Sequence, residues 1–259
     1  MEGEAKPLSE NNSNDSEKIR ERLKNRYGIR KYKIQEVIKP GQVTDQLVDF
    51  SDFLPTTLEA VQAAEQLGLT VSCDLNFRKK LWRWRPEVEP AKLAQQTMRE
   101  ILQHVEIVIA NEEDAAVVLD IHAGDSDIES GKLAIDKYPT VAREIVRQFS
   151  HVTRVAITLR ESISASHNRW GAMLYDARQD QACFAPLNDG QYCPYEITNI
   201  VDRVGAGDSF AAGLIYASCT SGLDVPTDTL AFATAGTALV EAFWSMVPHP
   251  LEVHQNGVS

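Results

Sequence analysis

From residue 55 onward the sequence alternates between segments of helical period and short apolar runs, joined by brief connections. "TTLEAVQAAEQLG" places Leu58, Val61, Ala64 and Leu67 along one side of a helix, with Gly68 as its natural stop. "LTVSCDL" follows as a short buried strand, "AKLAQQTMREILQHV" as a helix, "EIVIA" as a strand, and "EEDAAVVLD" opens the next helix. "TVAREIVRQFS" is helical and "RVAITL" a strand, while "GAMLYD" and "QACFAPL" read as antiparallel partners or edge strands. "GDSFAAGLIYASCTSG" and "DTLAFATAGTALVEAF" are helices rich in small residues, which suits close packing on a sheet. This order predicts an α/β, doubly wound, mostly parallel sheet with helices on both faces. Ligands of such folds sit beyond the carboxyl ends of the strands, so those ends are where chemistry is sought.

Composition narrows the classes further. A hydrophobic fraction of 43% in 259 residues is enough for a real core. The net charge of −11 argues against general binding to nucleic acid or anionic membranes. No run reaches the ~18 apolar residues of a membrane span, and the opening "MEGEAKPLSENNSNDSEK" lacks the apolar centre of a signal peptide. Cys73, Cys183, Cys193 and Cys219 show neither C-x-x-C spacing nor a histidine cluster, which argues against zinc and for free thiols in the cytoplasm.

Residues 1–50 read as an atypical leader, apart from a body at 51–259. Residues 1–15 are polar and expected to be disordered. Residues 16–33 carry eight Lys/Arg against two Glu, with Ile19, Leu23 and Tyr27 four apart on one face of a short helix. That basic helix is either a solvated amphipathic surface or a docking site for an acidic partner.

Three strand ends carry unusual residues. In "CDLNFRKKLWRW", Asp74, Asn76 and Arg78 alternate and would share a face in extended backbone. Arg78 could grip a carboxylate or phosphate there, or merely close a surface turn with a salt bridge. In "VIANEEDAAVV", Asn111 can cap the next helix, and Glu112, Glu113 and Asp114 fill its first turn. Those acids either favour the helix dipole or hold a hydrated Mg²⁺. In "DRVGAGDSFAAGL", Gly205 and Gly207 allow a tight turn whose N–H groups face one point, and the helix near Asp208 aims its positive end at the same point. An aspartate beside an anion hole is what phosphoryl transfer to an alcohol requires, although a glycine turn with an N-capping Asp is the simpler reading. The absence of G-x-x-x-x-G-K-[ST] rules out a P-loop enzyme.

"DRVGAGDSF" resembles the C-terminal signature of the ribokinase-like (PfkB) carbohydrate kinases. "VSCDLNFRKKLW" and "ITLRESISASHNRWGAMLYD" resemble the 2-keto-3-deoxygluconate kinase branch. The resemblance covers roughly residues 55–246. It implies a ribokinase-like fold and ATP-dependent phosphorylation of a sugar hydroxyl, with 2-keto-3-deoxygluconate or a related acid sugar as acceptor and ATP and Mg²⁺ as cofactors. It implies Asp208 as the catalytic base and the backbone of Gly205, Ala206 and Gly207 as the anion hole. Arg78, supported by Asp74 and Asn76, would bind the substrate. Asn111 and Asp114 would organise Mg²⁺ through phosphates and water, with no direct protein ligand. Thr158 and Arg160 fall at the strand end expected to contact the nucleotide, and Asp202 would shape the turn.

The chain departs from the pattern in places. Asp114 stands for the family's Glu, "TLR" at 158–160 for Thr-x-Gly, and Arg203 and Val204 for a Thr pair. Before residue 50 there is no Gly-Gly sugar-binding motif and no set of lid strands. The expectation is therefore an N-terminally truncated kinase fold, with homo-oligomerisation or a partner covering the gap. The alternative reading is a catalytically impaired nucleotide-binding remnant serving as a binding or interaction module.

Overall fold

The computed structural model describes residues 53–111, 113–122, 135–164, 166–198, 200 and 205–246. The leader at 1–50, Glu112, and Asp202, Arg203 and Val204 lie outside the described residues.

Helix α1 (Phe53–Gln66) is followed by strand β1 (Ser72–Asp74), helix α2 (Pro90–Ile101), strand β2 (Ile107–Asn111) and helix α3 (Asp114–Leu119). Helix α4 (Tyr138–Gln148) leads into β3 (Arg154–Ser164), β4 (His167–Asp176) and β5 (Gln181–Ala185). Two short strands, β6 (Leu187–Asn188) and β7 (Gln191–Tyr192), pair with each other. Strand β8 (Tyr195–Thr198) and helices α5 (Ala206–Ser218) and α6 (Pro226–Met246) complete the order. Gly68 ends α1 as expected. Its φ is +66°, its N–H donates to Glu65 O at 2.9 Å, and the N–H of Leu69 donates to Ala64 O at 2.9 Å. This is the Schellman pattern that glycine permits without steric cost. Leu58, Val61 and Ala64 are half-buried, but Leu67 lies past the last turn and is exposed.

The sheet runs β1-β2-β3-β4-β5, with β8 pairing β4. Strands β1, β2 and β3 are parallel; β4 is antiparallel to β3, β5 and β8. The expected mostly parallel character is thus confined to the first three strands. The reason is connection length. Only residues 165 and 166 separate β3 from β4, whereas a parallel crossover needs about a dozen residues. The expected buried first strand is also modified: β1 spans three residues, all half-buried, and among the described residues it pairs only with β2. Its ladder continues one step as Leu75 N–H donates to Ile109 O at 2.9 Å.

Helices cover both faces, as the alternating pattern predicts. Val155, Ile157 and Leu159 of β3 pack in one core cluster with Met98 and Ile101 of α2, Val118 of α3 and Ile145 of α4. Ala156 faces the other way, into a cluster with Ile107, Ile109, Trp170, Phe210 of α5 and Leu230 of α6. Strand β2 feeds both clusters, which explains its continuous apolar run. Helices α5 and α6 meet where Gly213 lies against Ala233: a Cβ on Gly213 would come within 2.9 Å of the Ala233 Cα. Backbone cannot yield as a flexible side chain does. Gly213→Val is therefore expected to lower stability by about 1–3 kcal/mol through overpacking, read as a lower midpoint in denaturant at unchanged slope.

Candidate active site

The site follows from the pleat. Side chains two apart on a strand share a face, and the register carries that face across the sheet. Asp74 is opposite Ile109, and Ile109 is opposite Ala156. One pleat further along, Asn111 is opposite Thr158, and Thr158 is opposite Ala172. One pleat further again, Arg160 is opposite Trp170. All of these lie on the face that α5 and α6 cover, toward the carboxyl ends of β1, β2 and β3. A cavity of about 570 Å³ opens there, and α5 begins at its edge.

Every residue proposed from the sequence and lying among the described residues lines this cavity: Asp74, Asn76, Arg78, Asn111, Asp114, Thr158, Arg160, Gly205, Ala206, Gly207 and Asp208. Gly205 is the N-cap of α5 with φ 87° and ψ 0°, a left-handed conformation that explains glycine here. It offers no side chain to cap the helix. The first helical bond is made by Ser209 N–H to Gly205 O at 2.8 Å, reinforced by Ser209 Oγ to the same oxygen at 2.7 Å. The N–H groups of Ala206, Gly207 and Asp208 precede that bond, at the positive end of the helix dipole.

The loop after β1 is not extended as expected. Asp74 accepts a hydrogen bond from the backbone N–H of Asn76, and Asn76 has φ 29°. This local turn, of the kind Asp and Asn favour, breaks the simple alternation. Asp74, Asn76 and Arg78 reach one cavity through a turn rather than along a strand face. At the end of β2, Asn111 caps the next turn as expected, its Oδ1 accepting the N–H groups of Glu113 and Asp114, each at 2.9 Å. Asp114 is 4% exposed. Its Oδ1 accepts the N–H of Phe77 at 3.1 Å and its Oδ2 that of Asn111 at 3.2 Å. Thr158 is buried, and its hydroxyl donates to Ala110 O at 3.4 Å.

Four carboxylates, Asp74, Glu113, Asp114 and Asp208, therefore share the cavity with Arg78 and Arg160. Burial, reinforced by the Asp114 charge and to a smaller extent that of Asp208, pushes Asp74 up to about 6 against a partial offset from Asn76 and Arg78. A carboxyl raised from 3.8 favours the folded state at low pH, and that contribution is lost as pH rises toward 6. Asp74→Asn keeps the acceptor for Asn76 and removes the charge. Its melting temperature relative to the parent is expected to climb between about pH 4 and pH 6 and level off above, as thermal unfolding across pH would show.

Glu113, one of the acids read from the sequence as filling the first turn after β2, also lines the cavity, as do Phe77, Ile109 and Trp170, which the sequence did not single out. The signal for Trp170 was its pairing with Arg160, which requires knowing the β3–β4 register. The indole nitrogen of Trp170 and both amide atoms of Asn168 are buried without hydrogen-bond partners among the described residues.

No protein-family model matches the chain. It is 28% identical over 184 residues to 2-dehydro-3-deoxygalactonokinase of Haloferax volcanii, covering 71% of this chain and 45% of that protein. Among solved structures it is similar to 2-dehydro-3-deoxygluconokinase from Thermotoga maritima, with 35% identity, a TM-score of 0.61, and 76% and 51% of the two chains covered. A PfkB family carbohydrate kinase from Listeria grayi, 24% identical, shares the fold with a TM-score of 0.58 over 74% of this chain and 50% of that one. The chain thus spans about half the length of the relatives it matches. With the strand-end motifs gathered in one cavity and these likenesses beside them, the chain has the fold of PfkB carbohydrate kinases over about half their length and is similar in sequence to kinases of 2-dehydro-3-deoxy sugars.

Proposed function

We propose that this chain transfers the γ-phosphoryl group of ATP to a hydroxyl of 2-keto-3-deoxygluconate or a closely related acid sugar. The observation that carries the reading is the position of Asp208. It stands in the first turn of α5, beside a glycine N-cap, in the same cavity as Arg78. Similarity to kinases whose names specify 2-dehydro-3-deoxy sugars supports the acceptor class.

In this reading the Asp208 carboxylate takes the proton of the attacking hydroxyl. The N–H groups of Ala206, Gly207 and Asp208 stabilise the phosphoryl oxygens as charge shifts during transfer. Arg78 holds the sugar carboxylate, with Asp74 and Asn76 shaping its loop. Thr158 and Arg160 form the nucleotide side. The fit to Mg²⁺ follows from the donor set. Both Asp114 oxygens and the Asn111 Oδ1 already accept backbone N–H groups, which suits contact through water and phosphate rather than direct ligation. Burial first, and the Asp114 and Asp208 charges after it, raise Asp74, and a cation would offset the part that comes from those charges. When bound, Mg²⁺ would neutralise charge on the phosphates.

Among the described residues no helix is long and apolar enough to cross a membrane. The cytoplasm is the proposed compartment, and the sugar and ATP are the proposed partners. The deciding experiment is ADP release from Mg·ATP with and without 2-keto-3-deoxygluconate. Sugar-dependent release is expected. Release that ignores the sugar, or none, would overturn the reading.

A further inference from the structure

We infer that Asp114 is a positioning residue for the substrate side of the cavity: it ties the loop carrying Arg78 to the end of β2. The inference rests on the kinase reading for the identity of the ligand, but its geometry stands alone. Asp114 is buried, yet neither of its oxygens faces the cavity unengaged. One accepts the N–H of Phe77, the residue before Arg78 and 37 positions away in sequence. The other accepts the N–H of Asn111, the last residue of β2. Asn111 in turn holds the N–H groups of Glu113 and Asp114, so the carboxylate is itself fixed in place.

The loop needs such a tie. Strand β1 ends at Asp74, and the ladder to β2 continues only through Leu75 N–H to Ile109 O. Asn76 then turns with φ 29°, and Arg78 is exposed on the cavity wall. The Asp114–Phe77 bond links that turn to the neighbouring strand end, beside the packing of the Phe77 ring against the core. A hydrogen bond to a charged acceptor is among the stronger ones in a protein, and leaving a buried partner unmatched is costly. Aspartate also suits this task by reach, since the carboxylate sits one methylene from its backbone and is already in contact with both donors.

The test uses the full chain and three variants: Asp114→Asn, Asp114→Glu and Arg78→Ala, with the Asp114→Asn/Arg78→Ala double variant. The first readout is amide hydrogen exchange at Phe77, which needs no activity. Asp114→Asn leaves one oxygen for two N–H groups, and exchange at Phe77 or Asn111 is expected to accelerate at least about tenfold while β3 amides stay protected. The second readout is kinetic. KM for 2-keto-3-deoxygluconate is expected to rise about tenfold, a larger change than in KM for ATP or in the half-saturating Mg²⁺. In the Arg78→Ala background the same substitution should add nothing, because it acts through the arginine. Asp114→Glu keeps the carboxylate and is expected to restore part of the protection and of the sugar KM.

Unchanged exchange at both amides overturns the tie. A raised Mg²⁺ or ATP requirement with unchanged sugar KM overturns the role assigned to it and leaves Asp114 to the metal and phosphates. Accelerated exchange in a chain that never shows sugar-dependent turnover upholds the tie but overturns both the kinase reading and the sugar-positioning role built on it.

Discussion

Asp208→Asn is expected to cut sugar-dependent turnover by about a hundred- to ten-thousand-fold, the range that a positioned general base contributes. Asp208 is exposed at the cavity, and Asn has the same shape, so the sugar and nucleotide should bind nearly as before. The loss should fall on kcat with KM for both substrates little changed, which marks an interaction made in the transition state. Stability should move little, because a carboxylate in the first turn of a helix contributes about 0.3–1 kcal/mol through the dipole. An independent check comes from Asp74. Asp208 is one of the charges that raise its proton affinity, so removing that charge should lower the Asp74 titration. A variant that turns over like the parent would remove Asp208 from the mechanism. A parent chain without turnover, but with ATP raising its melting temperature, would show a nucleotide-binding module in place of a kinase.

Much of this site is legible in the sequence because the fold converts short motifs into neighbours by a simple rule. Asp74 and Asn111 end their strands, and parallel register sets Thr158, in the middle of β3, beside Asn111. The glycines of "GAGD" foretell the α5 N-terminus because Gly205 adopts a backbone conformation that other residues rarely take. What could not be read has physical reasons of its own. "RESIS" looks like a loop, being polar and largely exposed, yet β3 continues through Ser164 because backbone bonds to β4 hold it whatever its side chains. Trp170 belongs to the site only through the β3–β4 register, which turn geometry fixes. The turn at Asn76 and the bond from Phe77 to Asp114 depend on a contact 37 residues apart that no local pattern announces. The antiparallel reading of "GAMLYD" and "QACFAPL" holds in β4 and β5, and the brevity of the β3–β4 connection gives its reason, although the repeated helix–strand order sets the expectation of a mostly parallel sheet.

Gly207→Ala is the sharpest test of the anion hole, because it divides function from folding more cleanly than its neighbour can. At Gly205 the positive φ penalises any side chain, so a loss of activity there has two explanations. Gly207 carries no such constraint. A Cβ built on it meets no atom within 4 Å, and the residue is exposed in the first turn of α5. The protein alone should accept the methyl group. Alanine is the better helix former by about 1 kcal/mol in a helix interior, so the melting temperature should hold or rise. Gly207 lines the cavity, so in the proposed reaction the methyl group would stand beside the N–H groups of residues 206–208 that the phosphoryl oxygens approach. Keeping those oxygens from even one donor is expected to cost about a hundredfold or more in kcat/KM, the scale seen when an oxyanion-stabilising group is removed. An unchanged or higher melting temperature together with such a loss would locate the transferred phosphate at the start of α5. Full activity in Gly207→Ala would mean that the phosphate approaches elsewhere, and that the glycine serves the backbone path into the helix rather than the reaction.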